Sequence, residues 1–312
     1  MAKFHADIVG GYLYPITKYG YPPPAGNTIL YLEELSYLGF SNVELGGIGP
    51  DHIREVFNIR NEIAERADEI GVNIPVFCVK LPRLGSHDAR EVSNQLKFFK
   101  MGCEIAKRIG STVIMDNGPL PPFSIKNNDQ NIYHYDLDII GQATLPSDFN
   151  WNAYWEGLVN TYAEVCQIAD WYGLEFHIHP ATGTLASTPE SFVRFFESVG
   201  VNNLKFTLDT ADLLYLKVNL VLAIHQLGPH ISYVHISDSR GFIKEHLPPE
   251  KGIIDWLTFF QELRKSGFSG KLGVDIGGPE SGIRNLDKTY RKAASWLQKN
   301  WFREAMESES NV

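Results

Sequence analysis

Residues 174–180, with the sequence LEFHIHP, form an apolar, strand-like run that ends in a histidine. Three later runs have the same form: 204–210 (LKFTLDT), 231–238 (ISYVHISD) and 271–278 (KLGVDIGG). Where the apolar part of each run ends, the chain carries Asp209, His235 and Asp275, respectively. Parallel strands covered by helices on both faces are almost continuously apolar. A carboxylate or imidazole at the end of such a strand is costly to bury and needs a partner. The four ends can converge only at the mouth of a shared barrel, which indicates a divalent-metal site.

The whole chain alternates between strand-like and helix-like segments. The first four strands are expected at 4–9, 41–45, 74–79 and 112–115, with a loop over 10–26 and one helix over 51–70. Strict alternation predicts a parallel sheet, and eight strands close naturally into a barrel. We therefore expect a single (β/α)8 TIM barrel over residues 1–303 and a flexible tail over 304–312. An open doubly wound sheet is the alternative, but no Gly-x-Gly-x-x-Gly turn follows the first strand.

Residues 117–150 interrupt this alternation with prolines, asparagines and no clear periodicity. A long loop inside a compact domain is usually functional or disordered. This one follows strand four on the face where such barrels carry their active sites. We expect a lid over the mouth or an interface with a partner subunit; an arm that fills a groove on the outer helices is the alternative. Its apolar residues need a surface to cover: Leu120, Phe123, Ile125, Ile132, Tyr133, Tyr135, Leu137, Ile139 and Ile140.

Composition and charge exclude some classes of partner. The net charge is −9 and no basic cluster is present, which argues against binding to nucleic acid. No apolar run approaches the length of a membrane span, so no membrane partner is expected. The first residues lack the pattern of a signal peptide, and the three cysteines are widely spaced, so a cytoplasmic location is expected.

The proposed ligands are two imidazoles, from His179 and His235, and two carboxylates, from Asp209 and Asp275. This mixture suits manganese, cobalt, iron, zinc or nickel and suits magnesium less well. We expect one divalent ion, with Mn²⁺ the first choice. Taken singly, either aspartate could instead cap the helix that follows its strand.

Further candidates lie at or just after other strand ends. The proton-transfer group is expected among Glu44, Lys80, His177, Asp238 and His246. Burial could lower the pKa of Lys80 enough for acid–base work, although an ion pair with Glu44 is an equal alternative. His177 has the same strand parity as His179 and is expected one layer deeper, where it could orient a ligand. The expected substrate-binding residues are Asp116, Asp238 and Arg240.

Four stretches resemble the xylose-isomerase-like sugar phosphate isomerase/epimerase superfamily, which also contains inosose dehydratases and, more remotely, endonuclease IV. They are 179–184 (HPATGT), 208–210 (LDT), 234–239 (VHISDS) and 246–256 (HLPPEKGIIDW). Members often bind one divalent cation through Glu, Asp, His and Glu at four strand ends. The resemblance places the middle pair on Asp209 and His235. The outer positions depart from it, since His179 and Asp275 stand where glutamates are usual, and this puts epimerisation by two glutamates in doubt.

The resemblance implies a metal-dependent isomerase or epimerase that acts on a sugar or keto-sugar by proton abstraction next to a carbonyl. The alternative is a lyase or dehydratase that acts on a keto-sugar, keto-glycoside or inosose through the same chemistry. A second alternative is a non-catalytic sugar-binding or structural barrel subunit. The acidic net charge argues against a nuclease. The expected ligand is a small carbohydrate. The chain is expected to form a homo-oligomer, and a different partner subunit is the alternative.

Overall fold

The computed structural model describes residues 3–124 and 137–302 and contains a closed barrel of eight parallel strands. Each strand pairs with its neighbours in chain order, and β1 pairs with β8 to close the barrel. The predicted (β/α)8 barrel is thereby confirmed. The strands are β1 Ile8–Gly10, β2 Asn42–Ile48, β3 Asn73–Lys80, β4 Val113–Asn117, β5 Glu175–His179, β6 Leu204–Asp209, β7 Ile231–Ile236 and β8 Lys271–Val274.

Helices surround the barrel, and two segments differ from their predicted form. The expected loop over 10–26 contains a helix, α1, whose Tyr14 is buried against Tyr290. The helix expected over 51–70 is divided into α3 and α4 because Ile59 leaves helical geometry, with φ −107° and ψ 13°. The helices are α1 Leu13–Tyr19, α2 Thr28–Leu38, α3 Gly49–Asn58, α4 Arg60–Ile70, α5 Ala89–Arg108, α6 Leu137–Ile140, α7 Trp151–Trp171, α8 Pro189–Val199, α9 Thr210–Tyr215, α10 Leu220–Leu227, α11 Trp256–Lys265 and α12 Leu286–Leu297.

The two faces of the sheet bury different side chains. Outward-facing residues pack against the helices in a large apolar layer, where Phe176 contacts Phe99 of α5 and Tyr162 of α7. The barrel interior holds a small apolar cluster that includes Val9, Val113 and Met115. Since strand side chains alternate between faces, interior positions recur every second residue. Near the carboxyl ends of the strands these interior positions are polar, and they form the site described below.

The interruption after β4 is anchored on β5. Gly118 N donates to His179 O (2.9 Å) and Leu185 N donates to Pro119 O (2.8 Å), while Ser124 and Thr144 form an antiparallel bridge. Residues 125–136 lie outside the described residues, as do 303–312, which include the expected tail. The lid or interface and the limits of the barrel domain therefore stay predictions. None of the helices in the described part of the chain has the length and apolar character that a membrane crossing requires.

Candidate metal centre and active-site cavity

Four strand ends bring His179, Asp209, His235 and Asp275 to one point at the carboxyl-terminal mouth of the barrel. His179 Nε2 lies 3.2 Å from Asp209 Oδ2 and 3.2 Å from His235 Nδ1. His235 Nδ1 is also 3.5 Å from Asp209 Oδ2 and 3.6 Å from Asp275 Oδ2. All four residues are at most 9% exposed. The structure thus brings together the four side chains that were proposed from the sequence as metal ligands.

The chemistry of these donors fits a bound cation. The ring nitrogens of His179 and His235 that face each other can share only one proton, and Asp209 Oδ2 lies beside both. The atoms of this trio all lie within 4.8 Å of one another, the spacing that ligands of one ion require. Two imidazoles with carboxylate oxygens are a ligand set for manganese, iron, cobalt or zinc. We therefore regard the cluster as a candidate metal centre.

Asp209 serves the cluster and the following helix at the same time. Its Oδ1 accepts a hydrogen bond from Asp212 N (2.8 Å) and caps α9, while Oδ2 faces the two imidazoles. Burial would raise the pKa of Asp209, but hydrogen bonds to His179 and His235 outweigh it and hold the pKa well below its usual value. The capping and ligand interpretations of this aspartate are therefore compatible, since each uses a different oxygen.

Glu44 lies directly beneath the cluster. β2 continues through Gly46 and Gly47 to Ile48, so Glu44 is in the middle of the strand rather than at its expected end. Its carboxylate accepts from His235 Nε2 (2.8 Å), Tyr233 OH (2.9 Å) and Cys78 Sγ (2.9 Å). Burial would raise its pKa, but His235 lowers it to about 2. These contacts favour a positioning role over the proton-transfer role expected from the sequence.

The contact with Glu44 decides how His235 presents its ring. A carboxylate that accepts from one ring nitrogen fixes the tautomer and directs the other nitrogen to a metal. Here Nε2 faces Glu44, so Nδ1 faces the cluster. Burial would lower the pKa of His235, yet the charges of Asp275 and Glu44 raise it well above its usual value. Burial also lowers the pKa of His179 and raises that of Asp275.

Above the cluster is a cavity of about 420 Å³, lined by His179, His235 and Asp275 together with Glu44, Tyr12, Lys80 and His246. Lys80 Nζ donates to Asn117 Oδ1 (2.5 Å) rather than to Glu44. His246, on the loop after β7, is 3.1 Å from Ser237 Oγ through Nδ1, and the same nitrogen is 3.7 Å from Asp275 Oδ2. Three of the proton-transfer candidates, Glu44, Lys80 and His246, thus line the cavity beside the cluster.

His177 is brought to a different level of the barrel. It is fully buried, and its ring contacts Thr207 Oγ1 (3.1 Å), Ser232 Oγ (3.0 Å) and Glu175 Oε2 (3.3 Å). Burial lowers its pKa. It occupies the layer below His179, as expected, but its hydrogen bonds run to the amino-terminal side of the barrel. The structure therefore does not bring it to the cavity.

The three expected substrate-binding residues also lie outside the residues that line this cavity. Asp116 has the opposite strand parity to Met115 and Asn117, and its carboxylate accepts from Leu81 N (3.2 Å) and Asn117 N (2.7 Å). Burial raises its pKa to about 7.

Asp238 has the opposite parity to Ser237, and Arg240 is turned onto the same loop. Asp238 accepts from Trp256 Nε1 (3.1 Å), Ile254 N (3.2 Å) and Ser239 N (2.9 Å). The guanidinium of Arg240 binds both carboxylate oxygens of Glu245. These contacts join parts of the loop after β7, and neither residue is among those that line the cavity.

Sequence reasoning missed several residues that line the cavity, among them the charged residues Asp212 and Lys244. Asp212 is 3% exposed and lies three residues after Asp209, on the first turn of α9. Side chains three apart on a helix are neighbours, and this spacing could have identified Asp212 beside the cluster. Lys244 follows no strand end, and no local pattern marks it.

The comparisons with known proteins place the chain in a family. The model of the xylose isomerase-like TIM barrel family matches residues 32–300, so the chain belongs to this family. An inosose dehydratase from Bacillus licheniformis is 23% identical over 271 residues, which cover 80% of this chain and 81% of the relative. A D-psicose 3-epimerase from Ruminiclostridium cellulolyticum is 24% identical over 156 residues, or 47% of this chain and 52% of the relative. For this epimerase, as for an inosose dehydratase from Geobacillus kaustophilus with 45% covered, the chain spans about half the relative's length or less.

Solved structures of similar shape cover almost the whole chain. An L-ribulose 3-epimerase superposes with a TM-score of 0.72 at 16% identity, covering 100% of this chain and 98% of the other. A D-psicose 3-epimerase crystallised with D-fructose gives 0.71 at 19% identity, covering 94% and 99%. A 3-keto-D-glucoside 4-epimerase from E. coli gives 0.69 at 15% identity, covering 95% and 100%. At these identities the likeness shows a shared fold.

Proposed function

We propose that this protein is a divalent-metal-dependent isomerase or epimerase that acts on a sugar or keto-sugar by proton abstraction next to a carbonyl. The observation that supports it is the convergence of His179, Asp209, His235 and Asp275 at the floor of a cavity of about 420 Å³. Relatives and structural neighbours named as sugar epimerases and inosose dehydratases support the same class of chemistry.

The four side chains at the strand ends would hold the cation. When bound there, a divalent ion polarises a carbonyl and a neighbouring hydroxyl and so stabilises the negative charge that develops on oxygen. Glu44 would keep the Nε2 proton of His235 in place and leave Nδ1 for the cation. Burial of these groups strengthens each electrostatic contact, since the local dielectric is low.

Proton transfer falls to groups that reach the cavity, and His246 and Lys80 are our candidates. Lys80 ends β3 and His246 follows β7, which stand opposite each other in a closed barrel of eight strands. A substrate between them would meet one basic group on each side. Epimerisation removes a proton from one face of a carbon and returns it to the other, so an opposed pair suits it.

A dehydratase is the second candidate function. It is favoured by the inosose dehydratase relative whose match covers 80% of this chain. Removal of the same α-proton, followed by loss of a hydroxyl from the neighbouring carbon, would give this outcome. His246 or Lys80 could then protonate the departing hydroxyl.

Solvent isotope exchange tests the proposal. Protein reconstituted with Mn²⁺ is incubated with D-psicose, D-tagatose, L-ribulose, a 3-keto-glucoside and an inosose in deuterated water, and the products are followed by NMR. We expect metal-dependent incorporation of deuterium at one carbon, with epimer or eliminated product. Turnover of any of these compounds without exchange and without elimination would show a hydride shift or hydrolysis instead.

Two substitutions test the metal centre separately from turnover. Asp209→Ala and His235→Ala should each abolish metal occupancy in elemental analysis, with the circular dichroism spectrum retained. Asp68→Asn, at an exposed position on α4, serves as the matched control. Full occupancy in both variants would remove the proposed site.

A further inference from the structure

A carboxylate oxygen that is buried and accepts no hydrogen bond within the described residues lies in the cavity wall, on a residue outside the four metal-ligand candidates. Asp212 is 3% exposed, and no group in the described part of the chain donates to its Oδ1. The backbone N–H of Asp212 donates to Asp209 Oδ1 at the start of α9, and the Asp212 side chain takes no part in that cap. Leaving a buried charged oxygen unpaired costs more free energy than leaving a neutral one. Within the described residues this oxygen accepts no hydrogen bond, so it can accept one from a ligand in the cavity.

The neighbours of Asp212 Oδ1 indicate which chemical group would fit. Lys244 Nζ is 3.8 Å away and His246 Nε2 is 3.7 Å away, both just beyond hydrogen-bond distance. A hydroxyl group both donates and accepts. Placed among these three side chains, it would donate to Asp212 Oδ1 and accept from Lys244 or His246. A second metal ion fits less well, because the ammonium group of Lys244 would repel it.

We propose that Asp212, with Lys244 and His246, binds a hydroxyl of a neutral polyol, and that this subsite selects unphosphorylated substrates. The inference rests on the proposed function, which places the reacting carbonyl at the metal centre and leaves the rest of the sugar for this wall of the cavity. A phosphate group here would set negative oxygens against the carboxylate of Asp212. A phosphate dianion would also leave Oδ1 without a donor, whereas a hydroxyl supplies one without added charge.

Equilibrium binding tests the proposed hydroxyl subsite without requiring turnover. Wild type, Asp212→Ala, Asp212→Asn and the exposed control Asp68→Asn are loaded with Mn²⁺ and titrated calorimetrically. The probes are D-psicose, D-tagatose and L-ribulose, their monodeoxy analogues and their phosphate esters. We expect Asp212→Ala to bind the free sugars at least tenfold more weakly than wild type, with Asp212→Asn between the two and the control unchanged. Metal content should be equal in all four proteins.

The deoxy analogues identify the contact itself. Loss of one particular hydroxyl should weaken binding to wild type at least tenfold and binding to Asp212→Ala less than twofold, because the partner of that hydroxyl is already gone. If Asp212→Ala does not fold, the isosteric Asp212→Asn supplies the same comparison. Unchanged sugar binding in the variants, tighter binding of phosphate esters than of free sugars, or no binding of free sugars by wild type would each overturn the inference. Asp212-dependent binding without isotope exchange would keep it and overturn the proposed reaction instead.

Discussion

At the scale of single residues, the site depends on one buried glutamate, Glu44, which holds a candidate metal ligand in place. Glu44 accepts three hydrogen bonds, from His235, Tyr233 and Cys78, so its charge is matched by donors on three sides. Through His235 it decides which ring nitrogen faces the candidate metal centre. We therefore expect Glu44 to affect metal affinity through its contact with His235.

Glu44→Gln preserves the shape of this residue and removes its charge. We expect metal affinity to fall about 10- to 100-fold, the usual effect of losing a partner of a histidine ligand. The dissociation constant for Mn²⁺ is measured by titration, with Glu65→Gln at an exposed position on α4 as the control. Equal affinity in wild type and Glu44→Gln would show that the tautomer of His235 is fixed by other contacts.

Asp116 gives a pH dependence that is separate from the metal centre. Burial raises its pKa from 3.8 to about 7 in the folded protein. A carboxyl whose folded pKa is raised contributes stability that is fully present below the unfolded pKa and lost as the pH rises through the folded pKa. The stability of wild type relative to Asp116→Asn should therefore fall between pH 4 and pH 7, by on the order of a few kcal/mol. Urea unfolding of both proteins in EDTA at pH 4, 5, 6, 7 and 8 checks this. A difference in unfolding free energy between the two proteins that does not change with pH would contradict it.

At the scale of elements, the loop between β7 and α11 brings two charged or titratable side chains to the cavity wall. It carries Lys244 and His246, and the carboxylate of Asp238 gathers it by accepting from Ser239 N, Ile254 N and Trp256 Nε1. Gly252 lies so close to Asp238 that a Cβ there would clash with its carboxylate. The loop is thus held by its own polar residues, and a substitution within it can move the side chains in the cavity.

Asp238→Leu tests this anchoring role. It leaves buried N–H groups without acceptors, at about 1–3 kcal/mol each, so the unfolding temperature should fall and proteolysis within 240–254 should accelerate. Sugar binding should weaken while Mn²⁺ content stays at the wild-type level, because no candidate ligand is touched. Loss of metal together with sugar binding would mean that Asp238 supports the cluster directly.

At the scale of the whole molecule, the candidate ligands connect four consecutive strands of the barrel. Asp209 lies beside both histidines and Asp275 lies beside His235, so a bound cation would link β5 through β8 at the mouth. An ion that binds only the folded chain stabilises it by mass action. Metal binding and stability of the barrel should therefore be coupled.

Mn²⁺ at one hundred times its dissociation constant should add about 2.7 kcal/mol to the free energy of unfolding. The expected observation is a rise in unfolding temperature with Mn²⁺ that EDTA reverses. Asp209→Ala should show no rise, and Asp68→Asn should behave as wild type. A rise of equal size in Asp209→Ala would place the stabilising ion elsewhere.

The sequence by itself determined the barrel and the four residues at its mouth. Both follow from local regularities: apolar runs alternate with helical segments, and His179, Asp209, His235 and Asp275 stand where each run ends. In a closed parallel barrel all strand ends meet at one face, so position along the strand is sufficient to bring them together. The same reasoning places His177 one layer below.

Only the tertiary structure decided which of the other polar residues face the cavity. Glu44 lies under His235 because β2 continues four residues beyond it, and Asp238 is turned away by its contact with Trp256 across the loop. Asp116 is the exception, since strand parity alone predicts that it faces away from the barrel interior. Asp212 and Lys244 meet because a short helix after β6 and a loop after β7 fold over the same cavity. Strand lengths and loop paths depend on contacts between segments far apart in the chain, so a local sequence pattern does not predict them.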